Sequence, residues 1–140
     1  MEKIAINNSY IELHVPDFKK AKSFYRKLGF EVAWERKPEM KRGYLVMKKE
    51  NNILCFFCGN NHVYEQSYFK RFSQKNKCGY ATEIVIMVNN IDNYHRKVKK
   101  FAKIVGDLKL RPWGLKDFRV EDPFGFYLRF TEYHNILLPK

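Results

Sequence analysis

The sequence predicts an α+β protein built from two tandem βαβββ modules. Three observations predict it. The motif Val15-x-Asp17-Phe18 returns 73 positions later as Val88-x-Asn90-Ile91. Each copy opens an apolar stripe at i, i+3, i+7 and i+10: Phe18, Ala21, Tyr25 and Leu28, then Ile91, Tyr94, Val98 and Phe101. That spacing is one face of an α-helix. Each half then closes on two strand-like runs around a turn sequence, Asn51-Asn52 in the first and Asp122-Pro123-Phe124-Gly125 in the second. Self-similarity at a fixed period marks a duplicated structural unit.

The elements follow in order. Tyr10 to Val15 alternates apolar and polar residues, as a half-buried strand does. Asp17 is a natural N-cap and Gly29 a C′ residue, which bound the first helix. Phe30 to Lys37 reads as a strand and Pro38 to Arg42 as a loop. Tyr44 to Lys49 and Ile53 to Cys58 form a hairpin about Asn51-Asn52, a pair that tolerates positive φ. Gly59 to Gly79 is a polar connector in which Tyr64 to Phe72 is expected to be a short helix. The unit then restarts: a strand over Thr82 to Val88, Asn90 as cap, and a helix over Ile91 to Lys103. A weak strand lies near Leu108 to Leu110, before the loop Arg111-Pro112-Trp113-Gly114. Lys116 to Glu121 and Phe126 to Glu132 make the last hairpin, and Tyr133 to Lys140 is a tail. The expected organisation is one domain, with a first module over 1–60, a connector over 61–79 and a second module over 80–140.

Composition agrees and sets limits. A chain of 140 residues, 45% hydrophobic, can bury a sizeable core. Nine Tyr and twelve Phe suit a cavity lined by rings as well as a packed core. No apolar run is long enough to span a membrane. No secretory signal is visible, and three cysteines are an odd number, so reduced thiols and a cytoplasmic location are expected. The formal charge is +12, from 27 Lys+Arg against 15 Asp+Glu. The basic residues fall mainly on the wet sides of the two helices, as Lys19, Lys20, Lys22, Arg26 and Lys27 and again as Arg96, Lys97, Lys99 and Lys100. No nucleic-acid-binding motif accompanies them.

Other constellations are bland. Cys55 and Cys58 sit at odd separation on one strand and face opposite sides, against a zinc knuckle with His62 and Cys78. His95 is expected to face water. No histidine has triad spacing, and no glycine-rich phosphate loop is present.

The segment Tyr10 to Asp17, then Phe24-Tyr25 and Leu28-Gly29-Phe30, resembles the opening of a vicinal-oxygen-chelate module. Trp113-Gly114, Phe118 to Val120 and Asp122-Pro123-Phe124-Gly125 resemble the close of the second module. The chain is thus similar to the superfamily of glyoxalase I, extradiol dioxygenases, fosfomycin-resistance enzymes and bleomycin-resistance proteins. That resemblance implies two βαβββ modules curled into a mixed-sheet cup, the glyoxalase/bleomycin-resistance fold. It also implies a divalent metal, held by histidine or glutamate on the first and last strands of each module. Carried over by the 73-residue offset, those positions fall at Tyr10, Phe56, Glu83 and Arg129. Phenylalanine cannot ligate and arginine repels a cation. No metal, no cofactor and no catalytic residue are therefore expected, unless a one-residue register shift brings in Glu12 and His14.

With the metal set missing, the metal-free bleomycin-resistance branch is the nearest match, supported by Leu45-Val46-Met47 and by the paired Phe56-Phe57. The resemblance then implies a small-molecule-binding protein, a homodimer, with a groove beside Trp113. Trp113 would stack on the ligand. Tyr10, Glu83 and Arg129 would set polarity, and Trp34, Tyr44, Phe56 and Phe118 would either add walls to the cavity or be plain core. Relatives that sequester bleomycin tend to be acidic, whereas this chain is basic. An anionic or neutral aromatic ligand fits its charge better. Glu83 and Arg129 are expected to form an ion pair if they share a face. Two alternatives stand beside this reading: a metal-dependent lyase, isomerase or thiol transferase, and a basic nucleic-acid module.

Overall fold

The computed structural model describes residues 9–39 and 42–138. The chain divides into two compact units, Met1–Phe72 and Ser73–Lys140. The first contains β1 (Glu12–Val15), α1 (Phe18–Lys27), β2 (Glu31–Arg36), β3 (Gly43–Lys49) and β4 (Asn52–Cys58). The second contains β5 (Glu83–Met87), α2 (Ile91–Val98), β6 (Lys103–Leu110), β7 (Lys116–Glu121) and β8 (Tyr127–Thr131). Both are βαβββ. Each forms a four-stranded mixed sheet, in the orders β1-β4-β3-β2 and β5-β8-β7-β6. The first and last strands of each unit pair in parallel, and neither sheet closes on itself.

Both helices begin as the sequence requires. The Asp17 side chain accepts from the Lys20 N–H at 2.9 Å, and Gly29 takes φ +101 just past the helix. The Asn90 side chain accepts from the Asn93 N–H at 3.3 Å. The stripe Phe18, Ala21, Tyr25 and Leu28 is buried against Leu45, Met47, Phe56 and Cys58 on one sheet face. In the second unit Ile91 and Val98 are buried, and Tyr94 lies over Phe118 and Phe130. Burial of each large apolar side chain is worth about 1.5–3 kcal/mol, so each face stabilises its own unit.

Several boundaries differ from expectation. The second helix stops at Val98 instead of Lys103, and β6 starts at Lys103. Ile104 pairs with Val120, and Lys103 reaches Glu121 at 2.9 Å, so sheet pairing outweighs helix propensity there. The first hairpin turns on Glu50-Asn51, with Glu50 at φ +54, because Lys49 pairs with Asn52. The expected helix over Tyr64 to Phe72 is replaced by two short 3-10 turns, Asn61–Glu65 and Phe69–Arg71. Between them the Gln66 side chain accepts the N–H groups of Tyr68 and Phe69 at 2.7 and 2.9 Å, which competes with helical bonding. Among the described residues no helix is long and apolar enough to cross a membrane. Cys55, Cys58 and Cys78 are all free thiols.

Candidate functional site

Side chains alternate along a strand, so each sheet has a face packed on its helix and an open face. In the first unit the open face carries Glu12, His14, Tyr44, Val46, Cys55 and Phe57. Leu13, Leu45 and Phe56 point the other way, toward α1. In the second unit the open face carries Glu83, Val85, Asp117, Arg119 and Arg129.

The first open face is aromatic. Trp34, half exposed at 50%, stacks on Tyr44 with centroids 5.5 Å apart and planes at 13°. Tyr44 meets Phe57 at 6.5 Å. His14 contacts both Phe57 and Phe69 at 4.9 Å, which makes a continuous row of rings. A small polar cluster sits within it. Burial, and then hydrogen bonds with Glu12 and Cys55, push the Tyr44 hydroxyl above its ordinary range, so it stays protonated. His14 Nε2 lies 3.4 Å from Glu12, while its Nδ1 is buried and has no hydrogen-bond partner among the described residues. Burial lowers the His14 pKa, and Glu12 only partly opposes that. His14 is therefore a neutral ring at neutral pH.

The second open face is ionic. Glu83 Oε1 lies 3.0 Å from Arg129 Nε, the pair expected from the sequence, and Glu83 Oε2 is 3.6 Å from Arg119 Nε. Asp117 is 0% exposed and accepts from Arg111 Nε at 2.6 Å and Arg119 Nη1 at 2.9 Å. Arg111 also donates to the Asp107 carbonyl at 3.1 Å.

The residues singled out in the sequence separate into three groups. Trp34, Tyr44, Glu83 and Arg129 lie on open faces. Tyr10, 70% exposed, lies just ahead of β1, and Trp113, 42% exposed, lies in the β6–β7 turn. Phe56 and Phe118 are corrections. Both are fully buried on the helix side, Phe56 5.1 Å from Tyr25 and Phe118 4.9 Å from His95. His95 is likewise packed on that ring and is not a water-facing side chain. The error at Phe56 has a simple origin. An offset of 73 carries β1 onto β5 and β3 onto β7, but β8 is displaced by 74 from β4. The last turn is one residue longer than its counterpart. The partner of Arg129 in the first unit is therefore Cys55. Phe57, Phe69, Asp117, Arg119 and Arg111 were missed. The alternation Asp117-Phe118-Arg119-Val120 was the available signal for two of them.

The family metal can be tested on these donors. The corrected positions are Tyr10, Cys55, Glu83 and Arg129. One is a fixed cation, and the only carboxylate is already held by two guanidiniums. Glu12 and His14 do share a face, as a shifted site requires. Among the described residues, however, no three His, Cys, Asp or Glu gather in a metal-holding group. This donor set does not suit a divalent metal.

A cleft of about 360 Å³ lies elsewhere, over the start of α1 beside Lys19, Lys37 and Pro38. Asp17 already caps that helix, and Lys22 is paired with Glu35 at 2.9 Å. The open sheet faces, with their exposed rings and unfilled polar groups, are the stronger candidates.

Comparison with known proteins agrees with this architecture. No curated protein matches the chain by sequence. Among solved structures it is similar to a hypothetical protein from S. aureus, with TM-score 0.69 and 22% identity over 92% of this chain and 95% of that one. It is similar to a bleomycin-binding protein complexed with bleomycin, with TM-score 0.64 and 17% identity over 91% and 99%. A glyoxalase family protein from Enterococcus faecalis gives TM-score 0.63 and 21% identity over 91% and 98%. At these identities the likeness is one of fold. The profile of the Glyoxalase/Bleomycin resistance protein/Dioxygenase superfamily matches residues 8–130, and with the paired βαβββ units this places the chain in that superfamily, to which it belongs.

Proposed function

We propose that this chain binds a small, partly aromatic molecule reversibly and without a metal, and acts by holding it. The observation that carries the reading is the row of rings on the first open face, where Trp34 stacks on Tyr44 and remains half exposed. A flat, accessible indole offers a ligand ring a stacking surface. Tyr10, exposed just ahead of β1, is a further ring in the same reading. In the second unit Glu83 and Arg129 set the polarity, and Trp113 is a further exposed indole. Phe56 and Phe118 have no part in it, because both are core. The likeness to a bleomycin-binding protein supports a binder of the bleomycin-resistance type. The net charge of +12 favours an anionic or neutral ligand over a cationic one. A homodimer belongs to the same reading.

Calorimetric titration with planar aromatic acids, neutral aromatics and bleomycin tests it. Saturable binding, unchanged by prior chelation, is expected for the anionic or neutral members. Trp34→Ala should weaken it about three- to tenfold, the worth of one aromatic stack. Trp113→Ala asks the same of the second indole. Binding lost on chelation, or one tightly held dication per chain, would replace this reading with the metal-dependent enzyme.

A further inference from the structure

The second open face contains an arrangement that packing alone disfavours. Arg119 and Arg129 stand directly opposite each other on the central strands β7 and β8. Like charges in that position are destabilising. Arg111 adds a third guanidinium, joined to the first through Asp117. Three guanidiniums meet two carboxylates, Asp117 and Glu83, so the cluster retains one positive charge.

Nor is the cluster internally satisfied. Arg129 Nε is buried and near Glu83, yet it is not aligned for a hydrogen bond. Glu83 is the one counter-ion that Arg129 meets among the described residues. Asp117 Oδ2 also has no partner among the described residues, but as an acceptor it calls for a donor and not for an anion. Buried polar groups normally find partners, and each exception asks for a missing one.

We infer that Arg119 and Arg129 form a binding site for a small oxyanion, the carboxylate or phosphate group of a ligand. Arginine forks bind such groups through two parallel N–H···O bonds. The excess positive charge supplies the attraction, and the partly exposed side chains leave access. Glu83 is the resident counter-ion that an incoming oxyanion displaces from Arg129. Asp117 is a positioning residue: it fixes Arg111 and Arg119 without needing to touch the ligand. This site lies wholly within the second unit and goes beyond the stacking reading above.

The test separates the two. Melting temperature of the full chain is measured against inorganic phosphate and against benzoate, with ionic strength held constant by sodium chloride. Saturable stabilisation by at least one oxyanion, beyond chloride, is expected; the comparison shows whether phosphate or carboxylate is preferred. Arg129→Gln should weaken binding about tenfold or more, the worth of charge-assisted hydrogen bonds. Since that variant strands Glu83, Glu83→Gln provides the sharper readout. Removing the competing counter-ion should tighten oxyanion binding severalfold, whereas a merely structural role predicts no gain. Trp34→Ala should keep the oxyanion response while losing affinity for rings. A wild-type response no greater than to chloride overturns the inference. So does unchanged or weaker binding in Glu83→Gln. Neither outcome touches the stacking surface.

Discussion

Phe18, Ala21, Tyr25 and Leu28 repeat at helical spacing because one face must leave water, and all four are buried. Glu83 and Arg129 pair at 3.0 Å, as residues on one face of neighbouring strands can. Phe56 was misplaced because a one-residue slip reverses a side chain. His14 illustrates what sequence alone conceals. Its environment is set by Phe57, Phe69 and Glu12, two of them distant in the chain. Burial lowers its pKa below the ordinary 6.5. The unfolded chain therefore takes up a proton at a pH where the folded ring resists it. By linkage, stability should fall as pH drops below about 6.5. In His14→Gln the fall between pH 7 and 5 should be shallower. Melting temperatures of both proteins across that range check it, and parallel curves would mean that His14 titrates alike in both states.

Among elements, the turns decide which residues share a face. The β7–β8 turn is one residue longer than the β3–β4 turn, which is why Arg129 aligns with Cys55 across the duplication. Asp122 organises that longer turn. Its Oδ1 accepts from the N–H groups of Phe124 and Phe126, both at 2.8 Å, while Gly125 takes φ +91. The turn itself was readable from Asp-Pro-x-Gly chemistry. Its effect on register was not, because register follows from loop length relative to the other half. Asp122→Ala leaves two N–H groups without their acceptor and should cost about 1–3 kcal/mol. Chemical denaturation measures that loss. A variant as stable as the parent would show that the backbone holds the turn without its side chain. The short α2 and long β6 teach a related point. Lys97 to Lys100 continues a helical composition, yet Ile104 finds Val120 and the strand wins.

Across the whole molecule, the duplication is kept in the cores and abandoned on the open faces. Leu13 corresponds to Ile86, Val15 to Val88, Leu45 to Phe118 and Phe56 to Phe130, all apolar and all buried. On the other face Tyr44 corresponds to Asp117, Val46 to Arg119 and Cys55 to Arg129. Packing against a helix constrains the first set in both halves alike. Nothing equivalent constrains the second, so one unit carries rings and the other carries charges. The repeat thus announces the fold and is silent about the ligand. It is silent about assembly as well. After β8 the chain carries Ile136, Leu137 and Leu138, all exposed. Three consecutive apolar side chains in water favour burial against another surface. If the chain is a homodimer and this tail contributes to it, light scattering coupled to size exclusion should give about twice 16.9 kDa. Removing residues 136–140 should shift the equilibrium toward a single copy while leaving the melting transition of the fold in place. The charge of +12 adds a second condition, since two such chains repel. Association should therefore strengthen as salt rises from low to physiological ionic strength. A full-length protein that stays at one copy across that range excludes the dimer and leaves the binding surfaces to act in a monomer.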